Sequence, residues 1–251
     1  MDNLTIYAGV SKTNETENFN SVTFKRGHIY CIVGDTGSGK SRLIKDIEQF
    51  VNADSLTKRK IYVDGNEVSL DKRNEFSTSL VSHLSQNMRF VLDASVYEFL
   101  ELHKQCRYNT NVSIETVLKT ANLITKEPIV SAQDLTSLSG GQTRALMIAD
   151  IALISDNPII LIDEIENAGI NKHIAFGILL KSNKLIFIAT HDPHTSLLGD
   201  KRIIMKNGAI DKIIDKSPLE AEITEKLKHM YNFQIECQTK IKKGELLNEM
   251  C

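Results

Sequence analysis

The chain has 251 residues, of which 41% are hydrophobic and 25% are charged, and these values are ordinary for a globular α/β domain with a smaller subdomain. Its formal net charge of −2 argues against a surface dedicated to nucleic acid. No run reaches the roughly 18 apolar residues that a membrane-spanning helix requires, and the four cysteines have no metal-ligand spacing, which favours a reduced, intracellular setting.

The amino-terminal part of the sequence predicts strands, then a glycine-rich loop, then a helix. Short strands are predicted over residues 3–10 and 20–25, and the continuous apolar run 29–33 predicts a strand buried on both faces. An amphipathic helix is predicted from about residue 41 to 50. The segment between strand and helix fits the phosphate-loop pattern G-x-x-x-x-G-K-[ST] at every specified position: Gly34, Asp35, Thr36, Gly37, Ser38, Gly39, Lys40 and Ser41.

This loop predicts a nucleoside triphosphate site. Successive backbone N–H groups at a helix amino terminus form a cradle for anions, and glycines let the backbone approach the phosphates closely. We expect Lys40 to reach the β- and γ-phosphate oxygens and Ser41 to bind Mg²⁺ through its hydroxyl. A strand, a loop and a helix in this order are the structural context that the motif requires.

The middle third predicts a small hairpin and then a helical subdomain. The hairpin is predicted over residues 58–70 around a central Asp-Gly turn, and a strand over 80–85 ends at Gln86. Helical periodicity runs from Val96 to about Asn122, with a polar break near residue 110. A second glycine-rich turn follows, entered by Leu138, and a helix from about 142 to 155 opens on it. The turn consists of Ser139, Gly140, Gly141 and Gln142.

Polar side chains follow the next two apolar strands. The strand 159–162 ends in Asp163 and Glu164, and the strand 185–189 is followed closely by His191. In phosphate-loop enzymes an acid at this position holds Mg²⁺. We therefore expect Asp163 to hold the metal through water and Glu164 to polarise the water that attacks the γ-phosphate. Strands at 202–205 and 209–214 and a helical tail complete the chain.

A phosphate loop followed far downstream by Leu-Ser-Gly-Gly-Gln resembles the ATP-binding cassette (ABC) ATPases, and the resemblance extends to about residue 214. It implies an α/β fold: a phosphate-loop NTPase core with a mostly parallel sheet, an antiparallel β subdomain and a helical signature subdomain at about 90–145. The implied ABC ATPase domain covers residues 1–215, and residues 216–251 form a carboxy-terminal helical tail.

The resemblance also implies roles for residues that would be unremarkable alone. In this family one nucleotide is held between the phosphate loop of one subunit and the Leu-Ser-Gly-Gly-Gln turn of another. His191 resembles the family's switch histidine, which contacts the γ-phosphate, and Gln86 resembles the glutamine that touches Mg²⁺ or water and relays to a partner. The nucleotide-binding residues would therefore include Ser139, Gly140, Gly141 and Gln142 in addition to the phosphate loop.

Two departures from the family pattern stand out. The segment after Glu164 lacks the proline and the aspartate that members usually carry there, and this segment normally couples the two sites of a dimer. Asp150 stands where many members carry an arginine. The coupling behaviour of the chain is therefore open at this level.

Three functions are compatible with these motifs. The first is an ATP hydrolase that uses ATP and Mg²⁺, dimerises with a second ABC subunit, identical or different, and drives a membrane-spanning partner in a separate chain. The second is a soluble ABC ATPase that acts on a protein partner, in metallocentre assembly or enzyme activation. The third is a non-catalytic clamp, which the presence of both acids and the histidine disfavours. The transporter subunit is favoured, with a cytoplasmic location at the inner face of a membrane and no nucleic-acid partner.

Overall fold

The computed structural model describes residues 1–86, 88–107, 111–164 and 170–247. Within these residues it contains ten strands in two sheets and eight α-helices. The strands are β1 (Asn3–Tyr7), β2 (Ser21–Lys25), β3 (Ile29–Val33), β4 (Lys60–Val63), β5 (Asn66–Glu67), β6 (Val81–Leu84), β7 (Ile159–Asp163), β8 (Leu185–Thr190), β9 (Lys201–Lys206) and β10 (Ala209–Asp215). The helices are α1 (Lys40–Glu48), α2 (Arg73–Leu80), α3 (Val96–Gln105), α4 (Ile114–Ile124), α5 (Gly140–Leu153), α6 (Lys172–Lys181), α7 (Pro193–Leu198) and α8 (Pro218–Lys242).

The larger sheet has six strands in the order β10-β9-β3-β8-β7-β6. Its five strands from β9 to β6 pair in parallel, and β10 adds an antiparallel edge. The smaller sheet is antiparallel in the order β2-β1-β4-β5. The predicted α/β core with a mostly parallel sheet and a separate antiparallel subdomain is therefore confirmed.

The central strands have helices or the second sheet on both faces, which explains their continuous apolar sequences. Alternate residues of β7 point to opposite sides, as the pleat of a strand dictates. Ile160 and Ile162 join a core formed with α3 to α6, whereas Ile159 and Leu161 join a core formed with α1 and the antiparallel sheet. The parallel sheet thus divides the molecule into two apolar layers.

The helical subdomain is built on capped helices. Ser95 caps α3 and Ser139 caps α5, each in a capping box in which the side chain three residues later closes back on the cap. The faces of α3, α4 and α5 meet in one apolar core that includes Leu100, Val117 and Leu146. The glycine-rich turn predicted from sequence is therefore the amino terminus of a helix anchored in this core.

Local predictions differ from the structure mainly at element ends. The first strand ends at Tyr7 rather than at residue 10, because Val10 donates its N–H to Thr57 O at 2.6 Å and leaves the sheet. Helices α2, α6 and α7 were not predicted. The tail helix α8 ends at Lys242 and is followed by Gly244 at φ 74°, a left-handed conformation that stops a helix. The division at residue 215 stays a prediction, and residues 248–251 lie outside the described part.

A fully buried ion cluster joins the phosphate loop to both sheets. Arg59, just before β4, donates to Glu17 at 2.5 Å and to Asp46 of α1 at 3.1 Å, and all three side chains are 0% exposed. The Nη2 atom of Arg59 also donates to the carbonyl of Gly208, in the β9–β10 turn, at 2.8 Å. Thr57 donates to Asp46 at 2.7 Å. Arg59 thereby holds α1, the antiparallel sheet and the β9–β10 turn in one arrangement.

We expect Arg59→Met to lower the free energy of unfolding by about 3–5 kcal/mol, because its removal leaves the buried Glu17 without a cation and leaves Asp46 with Arg42 alone. Urea unfolding followed by circular dichroism measures this change. Lys119→Met, which removes an exposed helix ion pair with Glu115, is the matched control and should leave the unfolding midpoint unchanged. Equal midpoints for the two variants would contradict the structural role given to Arg59.

Candidate nucleotide-binding site

The phosphate loop connects β3 to α1, as its sequence predicts, and its conformation requires glycine. Gly39, the N-cap of α1, has φ 108°, a region that residues with a Cβ rarely adopt. A Cβ at Gly39 would also lie 2.9 Å from Gly208 Cα. The N–H of Gly208 donates to Ser38 O at 2.8 Å, so the β9–β10 turn supports the loop from below. The loop is thus a backbone cradle held in place by packing.

Lys40 folds back over this cradle. Its ammonium donates to Gly34 O at 2.7 Å and to Asp35 O at 3.1 Å, and the residue is buried. Both acceptors are neutral carbonyls, so the charge has no carboxylate partner among these bonds. This arrangement leaves the ammonium positioned to exchange carbonyl contacts for phosphate oxygens.

The two residues predicted to hold Mg²⁺ from opposite strands meet in the structure. Ser41, at the start of α1, donates its hydroxyl to Asp163 Oδ2 at the end of β7, at 3.2 Å. A hydroxyl and a carboxylate are the hard oxygen ligands that Mg²⁺ prefers, so this pair fits the metal. Gln86, the third predicted metal ligand, donates instead to Glu164 Oε2. Its metal role stays a prediction, and the structure ties it to the acid expected to act as base.

Glu164 and His191 face each other at the carboxyl ends of β7 and β8. His191 Nδ1 lies 3.5 Å from Glu164 Oε1. Glu164 has φ 53°, in the left-handed region, and its N–H donates to Ala189 O at 2.9 Å. The backbone bond fixes the turn by which the chain leaves the sheet, and it directs this carboxylate toward the histidine.

An open cleft of about 560 Å³ lies between these groups. Its walls come from both predicted parts, the start of the phosphate loop and the ends of β7 and β8: Val33, Gly34, Asp35, Thr36, Glu164, Thr190, His191, Asp192, Pro193 and Ser196. The structure therefore brings the phosphate loop, the predicted base and the predicted switch histidine to one place.

Asp192, the residue after His191, holds the backbone between β8 and α7 in place. Asp192 caps α7 by accepting from Thr195 N at 2.7 Å and binds the Lys172 ammonium at 2.6 Å. Burial alone would raise the pKa of Asp192, but the bonds from Lys172 and Thr195 outweigh it and hold the pKa below its usual value. The carboxylate stays ionised at neutral pH, and His191 follows a fixed backbone.

Arg144 is the functional residue that the sequence analysis missed. It lies in the second turn of α5, is buried, and donates to four backbone carbonyls at the ends of two strands: Glu164 O at 2.6 Å, Gln86 O at 2.7 Å, Ser85 O at 3.0 Å and Asp163 O at 3.5 Å. One planar guanidinium therefore holds both segments that carry the predicted base, Glu164, and Gln86. A basic residue in a helix gives no sequence signal for such a role, because its partners are backbone atoms far away in the chain.

The glycine-rich turn Ser139–Gln142 exposes its first two residues and buries its glutamine. Ser139 and Gly140 are exposed, and Ser139 also donates to Glu127 Oε2 at 2.8 Å. Gln142 is buried: its side chain accepts from Ser139 N at 2.9 Å and donates to Pro128 O at 3.0 Å. The nucleotide-binding role of Gln142 stays a prediction, and its visible role is to shape the turn. None of Ser139, Gly140, Gly141 and Gln142 lines the cleft of the same chain.

Of the two departures from the family pattern, the structure describes the surroundings of Asp150 but not most of the segment after Glu164. Residues 165–169, most of the altered segment after Glu164, lie outside the described residues. Asp150, on α5, is fully buried, and its carboxylate pairs with His103 Nδ1 at 2.7 Å. Asp150 thus links α5 to α3 within the helical subdomain.

A buried parallel strand, a phosphate loop, a helix and a second strand ending in acids define a phosphate-loop nucleotide-binding protein. The sequence pattern of the family described as ABC transporter matches residues 18–167. The chain belongs to this family, and it is an ATP-binding, ATP-hydrolysing cassette. This confirms the predicted fold class and enzyme activity.

Related proteins agree with this assignment. An uncharacterized ABC transporter ATP-binding protein of Methanocaldococcus jannaschii is 45% identical over 97% of this chain and 94% of its own length. The petrobactin import ATP-binding protein YclP of Bacillus subtilis is 27% identical over 93% of this chain and 92% of its own.

Solved structures support the fold. A dimeric, post-hydrolysis ATP-binding cassette bound to ADP and Pi has a TM-score of 0.64 at 23% identity, and it covers 85% of this chain and 99% of its own. CbiO1 of Clostridium perfringens, part of the transporter complex cbiONQ, has a TM-score of 0.65 at 19% identity, with 97% and 100% covered. No helix in the described part of the chain has the length and apolar character needed to cross a membrane.

Because Arg144 holds the backbone of both Gln86 and Glu164, we expect Arg144→Lys to lower kcat for ATP hydrolysis by about 10- to 100-fold with little change in ATP affinity. An ammonium cannot reproduce the planar fork that reaches two segments at once. Steady-state kinetics and calorimetric ATP binding measure the two effects. Arg107→Lys, which alters an arginine bonded to Asn157 at 2.9 Å, is the control and should keep kcat. An equal loss of ATP binding in Arg144→Lys would contradict a role in positioning the base.

Proposed function

We propose that this chain is the nucleotide-binding subunit of an ABC transporter, and that two subunits close on ATP to form two shared sites. One observation carries the proposal: the phosphate-loop cleft and the Ser139–Gly140 helix terminus are both open, yet the terminus does not line the cleft of its own chain. Each chain therefore carries two complementary half-sites. A two-fold dimer satisfies both halves at once, because each phosphate loop then meets the other subunit's turn.

The residues of the cleft have different roles in ATP hydrolysis. The phosphate-loop amides and Lys40 bind the β- and γ-phosphates, and the exposed amides after Ser139 of the second subunit complete the anion cradle. Ser41 and Asp163 would hold Mg²⁺, which when bound offsets negative charge on the phosphate oxygens. Glu164 orients and deprotonates the attacking water, and His191, beside it, contacts the γ-phosphate.

A coupling route between the two shared sites runs through α5. Its amino terminus at Ser139 serves the nucleotide held by the other subunit, whereas Arg144, in the next turn, holds the backbone of this subunit's own Glu164. Movement of the turn on nucleotide binding therefore reaches the base of the opposite site through a single helix.

The surface after Gln86 supports a membrane-embedded partner. Phe90 packs edge-on against Phe99 at 5.0 Å, and this packing leaves Val91, Leu92 and Tyr97 exposed, with Val91 at 96%. Exposed apolar side chains next to one another mark interaction sites. Because Arg144 binds the carbonyl of Gln86, a partner seated here is one short segment away from the catalytic base. The chain would then act in the cytoplasm, at the inner face of a membrane.

We expect Glu164→Gln to bind ATP, to lose hydrolysis by about 100-fold or more, and to retain ATP in a closed dimer, because the amide cannot accept the proton from water. Release of labelled ATP from the isolated protein measures this retention. Glu115→Gln, on the exposed face of α4, is the matched control and should hydrolyse normally.

The same assay of ATP retention also tests whether the site is shared between two subunits. Addition of Ser139→Arg to Glu164→Gln should abolish ATP retention while each subunit still binds ATP, because the bulky cation blocks the turn. Ser79→Arg, on the exposed side of α2, should retain ATP as before. Retention that survives Ser139→Arg would rule out a site shared between subunits.

For the partner, we expect a multi-span membrane protein to copurify with the chain from detergent-solubilised membranes, and Val91→Glu to reduce its recovery about tenfold by placing a charge in an apolar contact. Lys119→Glu, on α4, serves as the surface-charge control. Recovery of a soluble protein alone, unaffected by Val91→Glu, would favour the alternative of a soluble ABC ATPase acting in metallocentre assembly or enzyme activation.

A further inference from the structure

Helix α8 contacts the rest of the chain through its polar side. Of its 25 residues, Thr224 is the one that is buried. On the same side Glu220 accepts from Arg202 at 2.5 Å, and the hydroxyl of Tyr231 donates to Ile170 O at 3.3 Å. The helix is therefore anchored by hydrogen bonds and ion pairs rather than by an apolar face.

An adjoining side of α8, about 100° around the helix from Thr224, carries an exposed apolar stripe, formed by Leu219, Ile223, Met230, Phe233 and Ile241. Met230 is 66% exposed and Leu219 is 72% exposed. With 3.6 residues per turn, these positions fall on one side of a helix about 37 Å long. A surface helix normally turns such a stripe toward the core, so an outward stripe indicates an interface.

The apolar positions of α8 are symmetric about Met230. Leu219 and Ile241 lie eleven residues before and after it (230 − 11 and 230 + 11), Ile223 and Cys237 lie seven away, and Leu227 and Phe233 lie three away. In an antiparallel helix pair with its two-fold axis at Met230, residues equally far before and after this point face each other. Every one of these facing pairs would be apolar.

Charge selects the antiparallel arrangement. Apart from Glu220, which binds Arg202, the residues from Pro218 to His229 include two glutamates and two lysines, a net charge of zero, whereas those from Tyr231 to Lys243 include one glutamate and three lysines, a net charge of +2. Antiparallel pairing brings the neutral half of one helix beside the positive half of the other, and parallel pairing would bring the two positive halves together. A two-fold contact of this kind uses the same surface on both copies and closes as a dimer.

A groove of about 720 Å³ beside the stripe provides room for the side chains of a second helix. Met230 and Phe233 form one wall, and Pro193 and His194 form the other. Burial, aided by the charge of Lys172, lowers the pKa of His194 to about 4, so its imidazole is neutral at neutral pH. This part of the groove wall is therefore suited to apolar contact.

We propose that α8 binds α8 of a second copy of this chain, antiparallel and centred on Met230, in an interface that forms without nucleotide. This interface is separate from the ATP-dependent closure proposed above and would keep two subunits together after hydrolysis. It also makes the working pair a homodimer.

Sedimentation of the full chain without nucleotide tests the interface. The wild-type chain should be a dimer, and Met230→Lys and Met230→Glu should each weaken it by about 100-fold or more, because each variant places like charges against each other at the two-fold axis. An equimolar mixture of the two variants should recover the dimer, since lysine then faces glutamate. Asn232→Lys, an exposed position off the stripe, is the control and should remain dimeric.

Orientation is tested by a charge pair at the ends of the stripe. Leu219→Glu combined with Ile241→Lys in one chain should keep the dimer if the helices are antiparallel, whereas a parallel pair would place glutamate against glutamate. A wild-type monomer at micromolar concentration, or a mixture that fails to recover, would overturn the proposal. The ATP-dependent closure is tested separately, by retention of ATP in Glu164→Gln at high protein concentration. If ATP is retained but the nucleotide-free dimer is absent, the α8 interface is refuted and the proposed closure on ATP is not.

Discussion

The buried contacts of Arg59 are the interaction on which the nucleotide cleft depends. The phosphate loop is a stretch of glycine-rich backbone with little side-chain packing of its own, and such a stretch keeps its shape only if the structure around it is rigid. Arg59 supplies that rigidity from beneath, because it binds the carbonyl of Gly208, which underlies the loop, and Asp46 of the helix that the loop begins. Glu17 completes the cluster by accepting from the N–H groups of Gly9 and Ile210. Without Arg59, Glu17 would be buried with no cation beside the predicted phosphate loop, and Asp46 would keep Arg42 alone.

A second arginine performs the corresponding task on the other side of the cleft. Arg144 donates to the backbone carbonyls of Glu164 and Gln86, so it sets the positions of these two chain segments through their backbone atoms. The Gln86 amide and His191 then both approach the carboxylate of Glu164. Because Arg144 lies on the helix that begins at Ser139, one helix joins the two proposed half-sites of a chain.

Helix α8 extends this arrangement beyond the cassette core. Tyr231 touches Ile170, which follows the segment after Glu164, and its ring lies 4.5 Å from the Lys172 ammonium that binds Asp192. The inner side of the helix thus contacts Ile170 and Lys172, and Lys172 in turn binds Asp192, the residue after His191. Its outer apolar side would link that region to a second copy of the chain. The same helix can therefore hold the switch region and the dimer together.

Those parts of the protein whose chemistry is local can be predicted from the order of its residues. The phosphate loop, the acids after β7, the histidine after β8 and the turn after Leu138 each depend on residue types at short spacing, and their strands are recognisable because a buried parallel strand is a continuous apolar run. Which of these groups meet depends on how the strands and helices pack. The bond of Gln86 to Glu164, the inward orientation of Gln142 and the whole role of Arg144 join positions far apart in the chain, and they often do so through backbone atoms that every residue carries. Because every residue carries a backbone carbonyl, the residue type of a partner does not predict such a contact, and the contact forms only when the strands and helices have packed together.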